Sequence, residues 1–568
     1  MSGKAANRRI RLLLGVFVLA FGLTFMRAAW LQGVRASSFG RLALNQHSED
    51  VVIPATRGTI YDRGGVQLAI GEQAQTVYAD PRQVKDPQRE AFVIARTLRL
   101  DPRTVYRSLT DRTRGFVYVA RKADPALVAK LRRKGLPGIN SYAEERRFYP
   151  QFSLASQVLG YAGVDNRGLA GLELSLDREL AGRPGRERIV KDASGQAIDT
   201  VVSQTVRDGR DVYLTLDHTI QANAQAVLHD TVLRWHAKSA TAIVLDPTTG
   251  AVRAMATAPG FNANAYPQVW RVLQRNRAVT DTYEPGSTFK LVTVAGALSE
   301  GLVTPTTHFT LPYEIQVADR RIHDAEPRGT ETMTVSEILS RSSNVGAITL
   351  AERLTRHRLV NWISRFGFGH PTGIDFPGES EGIVLPEDKW SGSSIGNIPI
   401  GQGIAVTPIQ MASAYAAIAN RGVWVRPHLV DHVGDGDTVR VARRRIVSGW
   451  VARELMAMLK NVVADGTGTL AGVSGYQVAG KTGTAAKPDP QGGYSDSRYV
   501  ASFVGVVPAS RPRLVILVSV DEPRGAIWGG VVAAPAFAQI AKFDLQYLDG
   551  GVPPDAPATT TATPAYNP

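Results

Sequence analysis

The period of the hydrophobic pattern changes twice after residue 211. Alternation in DVYLTLD (211–217) gives way to helical spacing over residues 220–235, and then to two apolar strands in TAIVLDPTTGAVRAMAT (241–257) around the turn DPTTG. Further helical patterns cover residues 335–343, 351–366, 408–420 and 450–465, and strands recur in GYQVAGKTGTA, YVASFVGVVP and RLVILVSVDEP. This order predicts an α+β domain over residues 211–547, whose sheet takes strands from both ends and carries a helical insertion.

The region before residue 206 contains short alternating stretches and is rich in arginine and glycine. RGTIYDRGGVQLA (57–69) predicts a β-hairpin, because Ile60, Val66 and Leu68 flank the turn residues 62–65. A structural role is the simplest interpretation of this hairpin. We predict that residues 45–206 form an N-terminal module that is separate from residues 211–547.

An apolar segment near the N-terminus predicts a membrane anchor. The basic residues before it are Lys4, Arg8, Arg9 and Arg11. The apolar run 12–26 reaches spanning length at residue 31 if Arg27 extends to the headgroups and Trp30 marks the interface. Arg27 and Arg35 crowd the place of a cleavage site, so an uncleaved anchor (12–31) is favoured over a cleaved signal peptide. The basic flank predicts a cytoplasmic tail (1–11), with the rest of this single-pass chain outside.

Composition narrows the possible classes of function. The chain has 568 residues, and its 65 Lys and Arg against 51 Asp and Glu give a net charge of +14, which suits a nearby anionic polymer or lipid surface. This charge is spread along the chain, so nucleic-acid binding is not expected. The absence of cysteine excludes disulfides, thiolate metal sites and a cysteine nucleophile. The Pro/Thr/Ala-rich tail (548–568) is predicted to be disordered.

The stretch EPGSTFK (284–290) contains the first candidate chemistry. Pro285 and Gly286 predict a turn before a helix whose first turn holds Ser287, and Lys290 lies on the same face three positions later. A cation near a helix N-terminus is disfavoured and burial adds to that effect, so Lys290 can be held neutral as a base that activates the serine hydroxyl. The alternative is a capping serine followed by a surface lysine, which this motif alone does not exclude.

RSSNVGA (341–347) lies at the end of a predicted helix and adds two polar side chains. The hydroxyl of Ser342 can relay a proton, and the amide of Asn344 can bind a peptide backbone. On its own, the Ser-x-Asn spacing is too common to identify a site.

VAGKTGTA (478–485) has the pattern of a strand. Alternation places Lys481 and Gly483 on one side and Thr482 and Thr484 on the other, so the four residues can line one cleft only from an edge strand. A glycine inside a strand often marks close approach by another backbone, such as a peptide substrate lying along the sheet edge.

Taken in order, Ser-x-x-Lys at 287–290, Ser-x-Asn at 342–344 and Lys-Thr-Gly-Thr at 481–484 form a set known from penicillin-binding proteins and β-lactamases. The surrounding sequence resembles the penicillin-binding transpeptidase family in NRAVTDTYEPGSTFK, SRSSNVGA, GQGIAVTPIQMASAYAAIANRG, GKTGTA and FVGVVPAS. RGTIYDRGGVQLA and GLAGLELSLDREL resemble the N-terminal module of its class B, monofunctional branch, and the resemblance covers residues 57–537. It implies an elongated β-rich module of the pedestal or dimerisation type, and a transpeptidase domain whose antiparallel sheet has helices on both faces and a helical subdomain.

The resemblance further implies a peptidoglycan D,D-transpeptidase that forms a serine acyl-enzyme, uses no cofactor or metal, and is inhibited by β-lactams. Ser287 is then the nucleophile and Lys290 the base for acylation. Ser342 with Lys481 would relay the proton to the leaving amine. The substrate-binding residues would be Asn344, Thr482, Gly483 and Thr484. The backbone N–H groups of Ser287 and Thr484 would form the oxyanion hole.

The implied partners are peptidoglycan stem peptides, β-lactam antibiotics, a membrane-embedded glycan polymerase and other division proteins. A separate polymerase is expected because no second catalytic carboxylate motif of the glycosyltransferase kind precedes residue 211. The short insertions, the Ser-Ser-Asn form at 342–344 and the length resemble the septal, division-specific enzyme more than the elongation or sporulation enzymes. The implied location is the bacterial inner membrane, with the catalytic domain on the periplasmic side.

Three other functions are considered. A β-lactamase needs a base that activates water, for which Glu379 and Glu381 are the available carboxylates, but the glycines around them predict a turn. A β-lactam sensor needs a cytoplasmic signalling domain, and only residues 1–11 are predicted to lie there. A non-catalytic cell-wall scaffold would keep the fold and lose the activity, whereas all three motifs are intact here.

Overall fold

The computed structural model describes residues 3–33, 35, 48–191, 197–436, 438–489 and 491–549. The strands are β1 (Ser48–Ile53), β2 (Ile60–Tyr61), β3 (Gln67–Ala79), β4 (Val117–Ala123), β5 (Ile139–Phe148), β6 (Tyr161–Ala162), β7 (Gly168–Ala170), β8 (Gly185–Lys191), β9 (Ala197–Gln204), β10 (Val212–Leu214), β11 (Ser239–Leu245), β12 (Val252–Ala258), β13 (His308–Leu311), β14 (Glu314–Val317), β15 (Arg320–His323), β16 (Glu331–Thr334), β17 (Val423–Val425), β18 (Val430–Val433), β19 (Arg443–Arg445), β20 (Ala479–Pro488), β21 (Tyr494–Val507) and β22 (Leu514–Asp521). The helices are α1 (Gly3–Gly33), α2 (Pro87–Leu98), α3 (Pro102–Thr110), α4 (Pro125–Arg132), α5 (Ser156–Leu159), α6 (Gly171–Ser175), α7 (Asp177–Leu180), α8 (His218–Trp235), α9 (Arg271–Gln274), α10 (Arg277–Thr280), α11 (Lys290–Ser299), α12 (Val335–Ser340), α13 (Asn344–Leu354), α14 (Arg356–Phe366), α15 (Ser394–Asn397), α16 (Pro408–Ala419), α17 (Gly449–Ala464), α18 (Gly529–Val532) and α19 (Ala534–Asp549). Short 3₁₀ turns occur at Ala263–Gln268, Gly286–Phe289, Glu387–Lys389, Ile398–Ile400 and Thr469–Ala471.

The described residues fall into two compact units. The first takes its residues from Met1–Thr56 and Gly182–Gly209, and consists of α1 and an antiparallel sheet in the order β1-β8-β9. The second takes its residues from Arg57–Ala181 and Arg210–Pro568. The predicted N-terminal module (45–206) thus contributes to both units, and its boundary as a domain stays a prediction.

Helix α1 has the length and composition of a membrane-crossing helix. Its span Asn7–Gly33 contains a window with a mean hydropathy of 2.1, and no residue of that window is buried. Among the described residues, no other helix passes the same test of length and composition. This observation is compatible with the predicted single-pass anchor. At the other end of the chain, the predicted tail lies outside the described residues from position 550 onwards.

The N-terminal part of the second unit is built around the long strand β3. The hairpin predicted at residues 57–69 is confirmed, because β2 pairs antiparallel with β3. Further along, β3 pairs with β4 and with β5. Helices α2, α3 and α4 cover one face of this sheet, where the shared core includes Val77, Ile94, Leu109 and Leu131. Each of these helices starts at an aspartate that accepts backbone N–H bonds, followed directly by proline, which is a favourable helix start.

A buried ion network joins β5 and the segment before β2 to helices α6 and α7. Glu173, which is fully buried, accepts from Arg57 at 2.6 Å and from Arg147 at 2.6 Å. Arg57 also pairs with Asp177 at 2.6 Å, and Arg147 donates to the carbonyl oxygen of Gly58 at 2.8 Å. The carboxylates of Glu173 and Asp177 together balance the charge of the two buried guanidinium groups, and the network connects residues distant in the chain.

The C-terminal part of the second unit has the sheet that was predicted. Its five antiparallel strands lie in the order β12-β11-β22-β21-β20, so strands from both ends of the segment meet in the middle. Ile243 and Val504 pack in the same core as the insertion helices α11 and α16. Val244 and Val518 belong to a second core with α8 and α19. Helices therefore cover both faces, as the resemblance implies.

Two details differ from the predicted elements. Residues 211–217 do not enter the central sheet, because β10 is only three residues long and pairs with β2 and β18 instead. The helical pattern at 351–366 belongs to two helices, α13 and α14. They are separated by Thr355, whose φ of +73° interrupts the helical backbone. Periodicity does not detect such a break when both helices bury an apolar face.

Candidate active site

Ser287 lies in a 3₁₀ turn that leads directly into α11. The turn covers Gly286–Phe289, and α11 begins at Lys290, so the serine and the lysine occupy the predicted first turn. Gly286 has a φ of +54°, which favours glycine. Ser287 is partly exposed, and no residue that the structure describes makes a hydrogen bond to its hydroxyl. The hydroxyl is thus available to a ligand.

Glycines allow the Ser287 turn to lie against β20, which is the edge strand of the central sheet. A Cβ on Gly483 would lie 2.9 Å from the carbonyl oxygen of Pro285 and 3.0 Å from the Thr288 methyl carbon. A Cβ on Gly286 would lie 2.9 Å from the carbonyl oxygen of Thr484. The predicted edge position of Lys-Thr-Gly-Thr is confirmed. The backbone that approaches Gly483 here belongs to the Ser287 turn of the same chain.

Lys290 is fully buried and is held by the Ser342–Asn344 turn. Its Nζ donates to the Ser342 carbonyl oxygen at 2.5 Å and to Asn344 Oδ1 at 2.7 Å, and lies 3.3 Å from Ser342 Oγ. Burial lowers the pKa of Lys290 well below its ordinary value, and the nearby Lys481 lowers it further, while Asp324 partly opposes the shift. The sequence-based expectation of a neutral amine at this position is consistent with this environment.

Lys481 reaches the same hydroxyl from the edge strand. Its Nζ donates to Ser342 Oγ at 3.0 Å and lies 3.2 Å from Thr482 Oγ1. The side chain is fully buried, and this burial lowers its pKa from 10.5 to about 7. Ser342 Oγ therefore lies between two buried amines, which is the geometry that a proton relay requires.

The buried amine of Lys481 should make stability depend on pH. Its pKa is about 7 in the folded chain against 10.5 ordinarily, so folding releases a proton between these values and the free energy of unfolding rises with pH across that interval. We expect Lys481→Met to raise the melting temperature relative to wild type most at pH 7 and below, and progressively less towards pH 10.

The matched control for this pH series is Lys487→Met on the same strand. Lys487 forms ion pairs with Asp521 and Glu522 at 2.7 Å, and these raise its pKa, so it stays protonated in both states over the same interval. Its replacement should shift the melting temperature by the same amount at every pH. A constant difference between Lys481→Met and wild type would contradict the lowered pKa of Lys481.

Asp324 is a site residue that the sequence analysis missed. Its Oδ1 accepts the backbone N–H of Asn344 at 2.5 Å and of Val345 at 3.0 Å, and its carboxylate also accepts from Ser343 Oγ. Arg328 pairs with the other oxygen at 2.6 Å. Ser342 has a φ of +61°, so this tight turn needs such support. The available signal was the Asp-x-x-x-Arg spacing, which does not indicate the partner turn.

Thr482 and Thr484 lie on the opposite side of β20 from Lys481, as alternation requires. Thr482 Oγ1 lies 2.8 Å from Thr467 Oγ1, and Thr484 Oγ1 accepts the backbone N–H of Gly529 at 3.0 Å. The amide nitrogen of Asn344 donates to the carbonyl oxygen of His323 at 2.9 Å. Each of these side chains is thus held by a neighbour in the chain.

Of the two carboxylates considered for water activation, that of Glu379 accepts backbone bonds. Glu379 accepts the backbone N–H of Thr372 at 2.7 Å and of Gly373 at 2.9 Å, which fixes a loop. The carbonyl oxygen of Glu381 accepts from the Gln410 side chain at 2.9 Å. Both contacts agree with the predicted turn.

One cluster of the described residues has the composition of a metal site. It contains Asp62, Asp217 and His218. Asp62 Oδ1 accepts the N–H groups of Gly64 and Val66, and Oδ2 accepts the backbone N–H of His218 and contacts its ring at 2.6 Å. These bonds account for the cluster as a structural connection between the β2–β3 turn and the start of α8.

Comparisons with known proteins agree with this architecture. Residues 240–542 match the model of the penicillin-binding protein transpeptidase domain, and residues 52–214 match the penicillin-binding protein dimerisation domain. The peptidoglycan D,D-transpeptidase FtsI of Escherichia coli is 33% identical over 97% of this chain and 93% of its own length. Stage V sporulation protein D of Bacillus subtilis is also 33% identical, over 98% of this chain and 88% of its own length.

A solved structure gives the same result. Penicillin-binding protein 3 of Mycobacterium tuberculosis, in complex with aztreonam, has a TM-score of 0.71 at 32% identity, over 90% of this chain and 100% of that chain. Sequence identity, domain order and fold therefore agree over nearly the whole length. This chain belongs to the penicillin-binding protein family, in the class B branch that joins a dimerisation domain to a transpeptidase domain.

Proposed function

We propose that this chain is a peptidoglycan D,D-transpeptidase that cross-links stem peptides through an acyl-enzyme on Ser287. The observation that carries the proposal is the position of Ser342 Oγ between two buried lysine amines, 3.3 Å from Lys290 Nζ and 3.0 Å from Lys481 Nζ. The Ser287 turn and β20, which carries Lys481, lie close together through Gly286 and Gly483. Nucleophile, base and relay are thereby assembled from three separate segments.

The contacts of Lys290 suit a base. A neutral amine has two N–H donors and one lone pair, and the two short bonds to the Ser342 carbonyl oxygen and Asn344 Oδ1 use both donors. The lone pair is left to accept the Ser287 hydroxyl proton. Ser287 Oγ then forms a bond to the carbonyl carbon of the penultimate D-alanine, and the resulting oxyanion is stabilised by the N–H groups of Ser287 and Thr484. Such a contact is worth about 10²- to 10³-fold in rate.

The second half of acylation breaks the peptide bond. Lys481 with Ser342 delivers a proton to the leaving nitrogen, the terminal D-alanine departs as an amine, and the acyl group stays on Ser287. An amine of a neighbouring stem then attacks the ester carbonyl and gives up a proton to Ser342 and Lys481. The ester bond to Ser287 Oγ breaks, and Lys290 returns its proton to that oxygen. Asn344 would hold the substrate amide, Gly483 would permit close approach, and Thr482 and Thr484 would bind the terminal carboxylate. A carboxypeptidase side reaction follows if water replaces the acceptor amine.

We further propose that the enzyme acts at the division septum, in the inner membrane, with α1 as the anchor and the catalytic domain in the periplasm. The basic residues before the apolar run support this orientation. The Ser-Ser-Asn form and the short insertions support the septal role over elongation or sporulation. A membrane-embedded glycan polymerase and other division proteins are the proposed partners. Conditional depletion of this protein from its bacterium should give filamentous cells with incomplete septa. Rounded cells after depletion would favour an elongation role instead.

The activity is tested by mapping a covalent adduct. Full-length protein in detergent is incubated with a fluorescent penicillin, digested, and examined by peptide mass spectrometry. We expect one stable adduct, on Ser287, and its loss after preincubation with unlabelled penicillin. Rapid turnover of the drug would indicate a hydrolase. A folded protein that forms no adduct would support the non-catalytic scaffold instead.

A further inference from the structure

Glu284, three residues before the nucleophile, links two other elements of the site. Its Oε1 accepts the backbone N–H of Gly403 at 3.0 Å and the Tyr494 hydroxyl at 3.1 Å. Its Oε2 is buried and has no hydrogen-bond partner among the described residues. Burial of a carboxylate with one oxygen unpaired costs free energy. The two bonds at Oε1 are therefore the contacts through which Glu284 can act on the site.

The first partner belongs to a loop that follows the backbone of the nucleophile turn. Tyr283 and Val406 exchange backbone bonds of 3.0 and 2.9 Å, and Gly286 donates to the Gly401 carbonyl oxygen at 3.0 Å. A Cβ on Gly401 would lie 2.6 Å from the backbone nitrogen of Gly286. Beside these backbone bonds, the carboxylate of Glu284 adds a side-chain contact between the turn and the loop at Gly403.

The second partner belongs to the hairpin that presents the edge strand. Tyr494 is the first residue of β21 and pairs with Pro488 at the end of β20. Burial and the neighbouring Glu284 raise the pKa of Tyr494 to about 12, so the phenol keeps its proton and donates. β20 carries Lys481, whose amine must stay within reach of Ser342.

We propose that Glu284 is a positioning residue for acyl transfer, which fixes the β20–β21 hairpin and the 398–406 loop against the turn that carries Ser287. The proposal rests on the acyl-enzyme on Ser287 proposed above. Glu284 acts through Tyr494 and Gly403 and does not touch the reacting atoms. Its contribution should appear in the rate of acylation, where the distance between the Ser287 turn and the edge strand matters. The Kd of the initial noncovalent complex with penicillin should change little.

The test measures the first-order acylation rate constant and the Kd of the encounter complex with a fluorescent penicillin, on the full-length chain in detergent. Glu284→Ala should lower the rate constant about tenfold, because small displacements of reacting groups are costly, while Kd changes little. Glu284→Gln should restore the rate, since its amide oxygen accepts the same two bonds. Tyr494→Phe, which deletes a single hydroxyl, should lower the rate by a smaller factor.

The double variant Glu284→Ala/Tyr494→Phe should acylate no more slowly than Glu284→Ala alone. The reason is that the bond between Glu284 and Tyr494 is already lost when Glu284 is replaced. Tyr499→Phe is the matched control on β21, since no described residue makes a hydrogen bond to its hydroxyl. Acylation of Glu284→Ala at the wild-type rate, multiplying effects in the double variant, or a Glu284→Gln as slow as the alanine variant would overturn the proposal. If the proposed function itself is wrong, the wild-type protein forms no adduct on Ser287. That result is distinct from the outcomes that overturn the role of Glu284.

Discussion

Lys290→Met should lower the rate of penicillin acylation by about 10²- to 10⁴-fold, the usual contribution of a positioned general base. Methionine keeps a similar volume and removes the lone pair that accepts the Ser287 proton. The nearby amine of Lys481 cannot replace that of Lys290 as the base, because it bonds to Ser342 and Thr482. The measurement is a time course of fluorescent adduct formation, with Ser287→Ala as the blank in which no adduct forms.

Two controls separate chemistry from folding in this experiment. Lys487→Met removes an amine on β20 that pairs with Asp521 and Glu522, and it should acylate at the wild-type rate. The Lys290 variant also leaves the Ser342 carbonyl oxygen and Asn344 Oδ1 without their donor, which costs roughly 1–3 kcal/mol for each group. Its melting temperature must therefore be recorded beside the rate. A folded Lys290→Met variant that acylates as fast as wild type would exclude this lysine as the base.

Glu173→Gln should lower the free energy of unfolding by about 3–5 kcal/mol, the usual cost of breaking a buried ion pair. The replacement keeps the volume and removes the charge, so Arg57 keeps only Asp177 as an ion-pair partner and Arg147 loses its ion pair with Glu173. Denaturant unfolding of the full-length chain in detergent, followed by tryptophan fluorescence, measures the difference.

The matched control is Glu72→Gln. Glu72 pairs with Arg146 at 2.5 Å, on side chains that are 44% and 41% exposed, and such exposed pairs contribute about 0–1 kcal/mol. Equal losses in the two variants would show that the buried network contributes no more than a surface pair. A loss confined to Glu173→Gln would show that the β2–β3 segment depends on this carboxylate.

Local periodicity and turn chemistry were sufficient to predict most elements of the central sheet. The hairpin at 241–257, the late strands and the edge position of Lys481–Thr484 are confirmed, because alternation and glycine placement express constraints within a few residues of chain. The break at Thr355 and the short strand β10 were not predicted. Both depend on how one segment packs against distant ones, and the apolar pattern continues across them unchanged.

The sequence by itself determined which residue types are present for acyl transfer and in what order. Only the tertiary structure decided which of them meet. Lys290 bonds to the Ser342–Asn344 turn, which lies 52 to 54 positions further along the chain. Lys481, 139 positions beyond Ser342, bonds to the Ser342 hydroxyl. The supporting contacts of Asp324 and Glu284 have the same origin. These contacts join segments that no periodic pattern in the sequence relates to each other. They therefore arise from packing of the folded chain and not from a local pattern.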